Sequence, residues 1–365
     1  MRAVEQQAET SPLARCDERI AGWRFRPHWA AAGGHLQTIL GSLWRRTYGS
    51  SVTEATEQLI ETEPGTTVLV RCSWHEDRER RPTALIVHGL EGSDESCYMR
   101  GTAEKAFAAG WNAVRLNLRN CGGTEHLSPT LYNSGLTGDV TAVLRHLVAN
   151  EGARQVGVVG FSLGGNLVLK MAGELGEAAT DERHRVVGVV AVSPAVDLSA
   201  AAARLEAVPN WLYHARFVLS LHKRLRVKHE FFPDRIDLSK LRGSYTIRDY
   251  DTKYIAPMFG FRDAEDYYER ASARELLRNI AVPTLMLHAD DDPFIPLTTR
   301  VRQAAAGNPN IRIVTVSSGG HVGFVASTGA SRAAREDRHW AENRCIEFLD
   351  LMLYDRSAPI AALSR

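Results

Sequence analysis

The sequence predicts an α/β fold built on one mostly parallel central β-sheet with helices on both faces. Three observations predict it. Short β-branched runs recur along the chain, separated by amphipathic stretches of helical length. Most of these runs are continuously apolar rather than alternating, as expected of strands covered on both faces. No internal repeat or low-complexity tract breaks the alternation.

Taken in order, residues 1–60 read as an N-terminal extension that packs on the core, together with an early β-hairpin. A single α/β domain is expected over 61–365. Its strands are expected at Thr67–Cys72, Ala84–His88, Ala113–Leu118, Val156–Phe161, Val186–Val192, Thr284–His288 and Ile311–Val316. Helices are expected at Tyr98–Ala109, Leu136–Ala149, Leu163–Glu174, Thr298–Ala306 and from about Arg335 to Leu353. The segment at about 197–280 follows a strand and is far longer than an ordinary crossover. It is rich in aromatic residues, among them Trp211, Phe217, Tyr245, Tyr250, Tyr267 and Tyr268. It reads as a helical cap insertion that shapes an apolar pocket; an excursion that forms an oligomer contact is the alternative. The sequence leaves the oligomeric state open.

Composition narrows the function classes. A formal net charge of +1 supplies no field to draw the chain to nucleic acid or an anionic membrane. The five cysteines are odd in number and form no C-x-x-C pair, which argues against a disulfide framework and a thiolate zinc site. That usage suits a reducing compartment. The polar start, Met1–Asp17, lacks the basic residues, apolar run and cleavage site of a signal peptide. No apolar stretch reaches the roughly 18 residues of a membrane span. The expectation is a cytoplasmic protein with no integral membrane segment.

The sharpest chemical feature is Gly160-Phe161-Ser162-Leu163-Gly164, set between an apolar strand and an apolar helix. A nucleophile elbow needs that context: the serine sits on a strained strand-to-helix turn, and the small residues let backbones approach. A serine hydroxyl is a weak nucleophile and needs a base, itself held by an acid. Downstream, in the order serine, acid, histidine, the chain offers Asp290-Asp291-Asp292-Pro293-Phe294-Ile295-Pro296 just past a strand, then Gly319-Gly320-His321-Val322-Gly323 past the last strand. The D-x-x-(I/V)-P pattern points to Asp292 as the acid, with Asp291 as the fallback and the remaining aspartates as an exposed turn. His321 is the candidate base; His339, inside the expected last helix, reads as structural or exposed.

Two backbone donors must hold the oxyanion. The Leu163 N–H, just after the serine, is one candidate. The other is the Leu90 N–H, in the loop His88-Gly89-Leu90-Glu91-Gly92-Ser93 after an apolar strand. His88 there reads as a residue that orients the loop. Rival chemistries lack their signatures. No metal-ligand pattern accompanies the aspartates, no phosphate-binding loop is present, and Gly157 and Gly160 do not have dinucleotide-fold spacing. No cofactor is expected. Cys121 has no base in a matching order and reads as a small packed residue.

With these residues in view, the sequence resembles the YheT-like α/β-hydrolases, bacterial relatives of the eukaryotic hydrolase-domain lipases of the one-and-three type. Gly34-His35-Leu36-Gln37-Thr38 resembles the family's N-terminal signature, and the His88–Ser93 and Gly320–Phe324 segments resemble its oxyanion and histidine loops. Asn117–Thr124 and Tyr132–Asp139 resemble two further segments, with Asn120 in place of a glycine and Asn133 in place of a histidine. Ile247–Asp251 and Asp266–Tyr268 resemble its cap pattern. The resemblance implies an α/β-hydrolase fold and a serine carboxylesterase or lipase-like enzyme acting on short- to medium-chain acyl esters, small molecules. Acyl transfer to an alcohol would use the same triad. A non-catalytic ligand-binding protein of this fold would predict a damaged triad, whereas Ser162, Asp292 and His321 all stand.

Overall fold

A computed structural model describes residues 12–327 and 336–354. Residues 1–11 of the polar start, and Arg335 where the last helix is expected to begin, lie outside them. The strands are β1 (Thr56–Glu63), β2 (Thr66–Ser73), β3 (Thr83–Val87), β4 (Asn112–Leu116), β5 (Val156–Phe161), β6 (Val186–Val192), β7 (Thr284–Ala289) and β8 (Ile311–Val316). The principal helices are α1 (Gly34–Leu43), α2 (Cys97–Ala108), α3 (Thr137–Ala149), α4 (Leu163–Leu175), α5 (Leu198–Glu206), α6 (Trp211–Phe231), α7 (Ala264–Ala271), α8 (Thr299–Ala306) and α9 (Trp340–Tyr354).

The strands form one sheet in the order β1-β2-β4-β3-β5-β6-β7-β8. Only β2 runs against its neighbours; every other adjacent pair is parallel. The strand period of two assigns the side chains to two cores. Leu85, Val87, Val156 and Val158 pack with α3, α4 and α8 on one face. Ala84, Ile86, Val159 and Phe161 pack with α2, α9 and the N-terminal residues Leu13, Ile20 and Trp23 on the other. Both faces of the central strands are therefore buried, which is why their sequences are apolar throughout.

Three departures from the sequence reading have physical causes. The early β-hairpin lies later than expected, as β1 and β2, and its first strand had no bounds in the sequence because Thr-Glu-Gln-Leu-Ile-Glu-Thr-Glu is mostly polar and only Ile60 is buried. It is the sheet's edge, where charged side chains discourage further pairing. Strands β3 and β4 stop one and two residues early, before His88 and Leu118. There the Leu118 N–H leaves the ladder and donates to His88 Nε2 at 3.1 Å. Helix α9 starts at Trp340 rather than near Arg335, after a short bridge between Val325 and His339.

Between β6 and β7 the chain builds the cap from α5, α6, α7 and several short turns. The cap has its own core, which includes Leu205, Leu221, Tyr250, Tyr267 and Tyr268, and it reaches the sheet side through Leu131, Phe294 and Ile295. The aromatic residues divide: Phe217, Tyr250, Tyr267 and Tyr268 line a cavity, whereas Trp211 and Tyr245 face solvent. Among the described residues, no helix is long and apolar enough to cross a membrane. The carboxyl ends of β3, β5, β7 and β8 point their loops to the cap side, where a parallel sheet presents its ligand-facing residues.

Candidate active site

Ser162 follows β5 directly, with φ 54° and ψ −114°, a conformation that non-glycine residues seldom adopt. Its N–H is held by the Val192 carbonyl at 2.9 Å and its own carbonyl accepts from Asn166 N–H at 3.1 Å. The flanking glycines are required by contact. A Cβ on Gly160 would sit 2.3 Å from the Gly164 oxygen, and one on Gly164 would sit 2.4 Å from the His88 oxygen. Larger residues would push α4 off β5 and β3, and the turn would open.

His321 bridges the serine and one aspartate. Its Nε2 lies 2.8 Å from Ser162 Oγ and its Nδ1 lies 2.9 Å from Asp292 Oδ2. The neighbouring aspartates do different work. Asp292 Oδ1 also accepts from the N–H groups of Phe294 and Ile295 at 2.8 and 3.0 Å. Burial pushes its carboxyl up, but the His321 charge and hydrogen bond, together with His288 and the Ile295 N–H, hold it below the usual carboxylate value. Asp291 Oδ1 accepts from the N–H groups of Gly319 and Gly320, so it fixes the histidine loop by its backbone instead of forming an exposed turn. Asp290 is exposed and paired with Arg302 at 3.2 Å.

The histidine loop has a second anchor that sequence reasoning missed. The N-terminal extension is expected only to pack on the core, but one face of its helix α1 grips this loop. The Thr38 hydroxyl accepts the His321 N–H at 2.8 Å and donates to the Gly34 carbonyl at 2.7 Å. The buried Gln37 side chain donates to the Val325 carbonyl and accepts the Val325 N–H, at 3.1 and 2.7 Å. Contact is so close that a Cβ on Gly323 would lie 2.2 Å from the Gln37 oxygen. The available signal was Gly34, Gln37, Thr38 and Gly41, polar or small residues at helical spacing where a packing helix would carry apolar ones.

The loop after β3 is arranged around Leu90. Gly89 N–H donates to the Tyr98 hydroxyl at 3.1 Å and Glu91 N–H to the Tyr132 hydroxyl at 3.0 Å. Among the described residues, the Leu90 N–H between them donates no hydrogen bond, and the Leu163 N–H stands at the amino end of α4. His88 is fully buried; its Nδ1–H donates to the Gly89 carbonyl at 2.8 Å while Nε2 accepts from Leu118. Burial pushes its pKa down to about 4, so the ring is neutral and its tautomer is fixed by those two bonds. The loop is also tied to the cap, because Arg224 of α6 pairs with Glu91 at 3.0 Å.

The two departures from the family pattern fit their places. Asn120 has φ 63°, a left-handed conformation that asparagine tolerates better than most residues. Its Oδ1 accepts from the buried Lys228 of α6 at 2.6 Å, which a glycine could not do. Asn133 Oδ1 accepts from the Gly135 N–H at 2.8 Å, closing a local turn. Cys121 is buried and its thiol is pushed up to about 12 by that burial, as suits a packed residue.

Ser162 and His321 lie between two recesses. An apolar pocket of about 830 Å³ runs under the cap, walled by Leu198, Leu205, Leu221, Phe217 and Phe294. A groove of about 1620 Å³ opens on the other side, between α1, the Leu90 loop and α6. Phe294 serves both and packs against the His321 ring, centroid to centroid at 4.9 Å. Among the described residues, no group of three or more His, Cys, Asp or Glu side chains is placed to hold a metal ion.

Residues 82–327 match the family described as alpha/beta hydrolase fold. The chain is 31% identical to YheT of Escherichia coli over 91% of this chain and 95% of that one. It is 28% identical to the phospholipase ABHD3 of Mus musculus over 73% of this chain, but spans only 64% of that protein. It is also 28% identical to the monoacylglycerol lipase of Saccharomyces cerevisiae over 75% of this chain and 60% of that one. A solved structure, the Pyrococcus furiosus esterase Pf2001, superposes with a TM-score of 0.57 over 91% of this chain and 99% of that one. At 16% identity that likeness speaks for the fold alone.

Two predictions follow from the geometry of the loops. Thr38→Val removes the acceptor of the His321 N–H and is expected to cost about 1–2 kcal/mol in urea unfolding, while Thr38→Ser retains most of it. The second concerns acid. His88 is neutral when folded and binds a proton near pH 6.5 when unfolded, so its contribution is complete above 6.5 and drains as pH falls to about 4. The unaltered protein should therefore lose about 3 kcal/mol more than His88→Gln over that interval. Unfolding curves at stepped pH measure the difference.

Proposed function

The chain belongs to the α/β-hydrolase-fold family, on its YheT-like branch, and from that premise we propose that it hydrolyses carboxylic esters through an acyl-enzyme on Ser162. One observation carries the reading: the His321 ring spans Ser162 Oγ and the Asp292 carboxylate, at 2.8 and 2.9 Å, at the mouth of an apolar pocket.

The mechanism follows from the atoms in place. Asp292 accepts the Nδ1–H of His321, which leaves Nε2 with its lone pair toward Ser162. As Ser162 Oγ attacks the ester carbonyl, Nε2 takes its proton and Asp292 stabilises the imidazolium. Negative charge gathers on the carbonyl oxygen, where the Leu90 and Leu163 N–H groups and the amino end of α4 receive it. His321 returns the proton to the departing alkoxide, and an alcohol leaves. Water then attacks the acyl-enzyme by the same route, releasing the acid and restoring Ser162. The acyl chain, short to medium in length, occupies the pocket under the cap; the alcohol portion lies in the outer groove. Names among the relatives, a monoacylglycerol lipase and a phospholipase, support acyl esters as the substrate class.

The test uses a p-nitrophenyl ester and a fluorophosphonate probe. Ser162→Ala should abolish turnover and labelling together, while the unaltered protein is labelled at Ser162. Asp292→Asn should lower kcat by about 10⁴-fold, the scale seen when such an acid loses its charge. Asp291→Asn should cost far less, since it acts only on the loop backbone. Full turnover by Ser162→Ala would refute the nucleophile, and equal losses at the two aspartates would refute the division of labour.

A further inference from the structure

The pocket under the cap is apolar along most of its wall, but one buried carboxyl faces it. Asp251 is 8% exposed and lines the same pocket as Ser162. Around it are Leu205, Ile247 and Ile255. It opens a π-helical turn, Asp251–Ile255, that interrupts the short helices on either side. Such turns are rare and gather at functional sites. A buried carboxyl without full partners is costly and calls for an explanation.

The partners inside the protein are too few. Asp251 Oδ2 accepts the Tyr268 hydroxyl at 2.6 Å. Among the described residues, no other hydrogen bond or ion pair reaches the carboxyl. Of the two cations near it in sequence, Arg248 is engaged by Glu206 and Glu265, and Lys253 donates to the Arg242 carbonyl at 2.9 Å. Two other hydroxyls of the pocket wall have partners of their own: Tyr267 accepts the Ser134 N–H at 2.8 Å, and Tyr132 donates to Glu91 at 3.0 Å. The carboxyl is thus half satisfied by the protein, on a wall whose function is to meet a ligand.

Resting on the reading of this cavity as the acyl pocket, we propose that Asp251 and Tyr268 form a polar subsite for a hydroxyl group carried on the substrate's acyl chain. A chain that is apolar except for one hydroxyl matches a largely apolar pocket whose wall carries a single carboxyl. Burial pushes the Asp251 carboxyl up to about 7, so both of its forms exist near neutral pH. A hydroxyl can donate to the ionised form and accept from the protonated one. A fixed cation would suit only the ionised form.

The decisive measurement is binding, without turnover. Ser162→Ala protein is titrated with methyl octanoate and with methyl hydroxyoctanoates whose hydroxyl is moved along the chain. At least one hydroxylated ester should bind about tenfold more tightly than the plain ester. In Ser162→Ala/Asp251→Leu that preference should vanish, and Ser162→Ala/Tyr268→Phe should weaken it. The proposal is overturned if no hydroxylated ester binds better than the plain one, if the preference survives loss of the carboxyl, or if the aminooctanoate ester binds more tightly still. Hydrolysis of plain octanoate esters by the unaltered protein tests the esterase reading separately, because the binding series needs no catalysis.

Discussion

The site depends on one steric constraint, the packing of three backbones with no side chain between them. The Gly160, Gly164 and Val87–His88 backbones lie within van der Waals range of one another at the head of the sheet. That closeness forces the turn at Ser162 into its unusual conformation and lifts the side chain clear of the strand. It also brings the loop after β3 over the serine: a Cβ on Gly89 would touch Ser162 Cβ at 3.0 Å. Ser162 and the Leu90 loop, the proposed nucleophile and oxyanion loop, are thus placed by the same contact.

The remaining partner arrives from outside this contact and is held separately. Asp291 binds the backbone of the His321 loop, Thr38 binds the His321 N–H, and Ser193 Oγ accepts the Val322 N–H at 3.2 Å. Three elements thus fix a loop that would otherwise be a flexible run of glycines. A catalytic imidazole needs that restraint, since small misplacements cost large factors in rate. The cap restrains a different loop: Arg224 and Glu91 join the pocket roof to the loop bearing Leu90.

How much of this was legible in the sequence varies with the range of the interaction. The central strands were legible because burial on both faces leaves an uninterrupted apolar run. The bounds of edge strand β1, half of the expected early hairpin, were not, because its burial is confined to Ile60. The positions that meet at the site stood out through glycine-framed motifs in a fixed order. The D-x-x-(I/V)-P pattern singled out Asp292, but the task of Asp291 did not show, because its partners are backbone N–H groups of a loop 28 and 29 residues away. Gln37 and Thr38 form side-chain bonds to backbone far away in sequence, and their helical spacing marks a polar face without showing what that face meets. Asp251 looked like one more cap residue, since only the folded cap shows which face borders the cavity.

The grip of α1 on the histidine loop also bears on the order in which the molecule matures. The Thr38–His321 bond closes a separation of 283 residues. Helix α1 leaves the ribosome early, while the loop it holds emerges only after the whole cap and most of the sheet. Under the proposed mechanism, the elbow and its oxyanion donors can form through that interval, yet Ser162 has no base. Chemical competence therefore comes late, in a single docking step, and a partly made chain carries a pocket without a working nucleophile. Contacts of such long range are slow to form, so the gain of reactivity would serve as a clock for the last stage of folding.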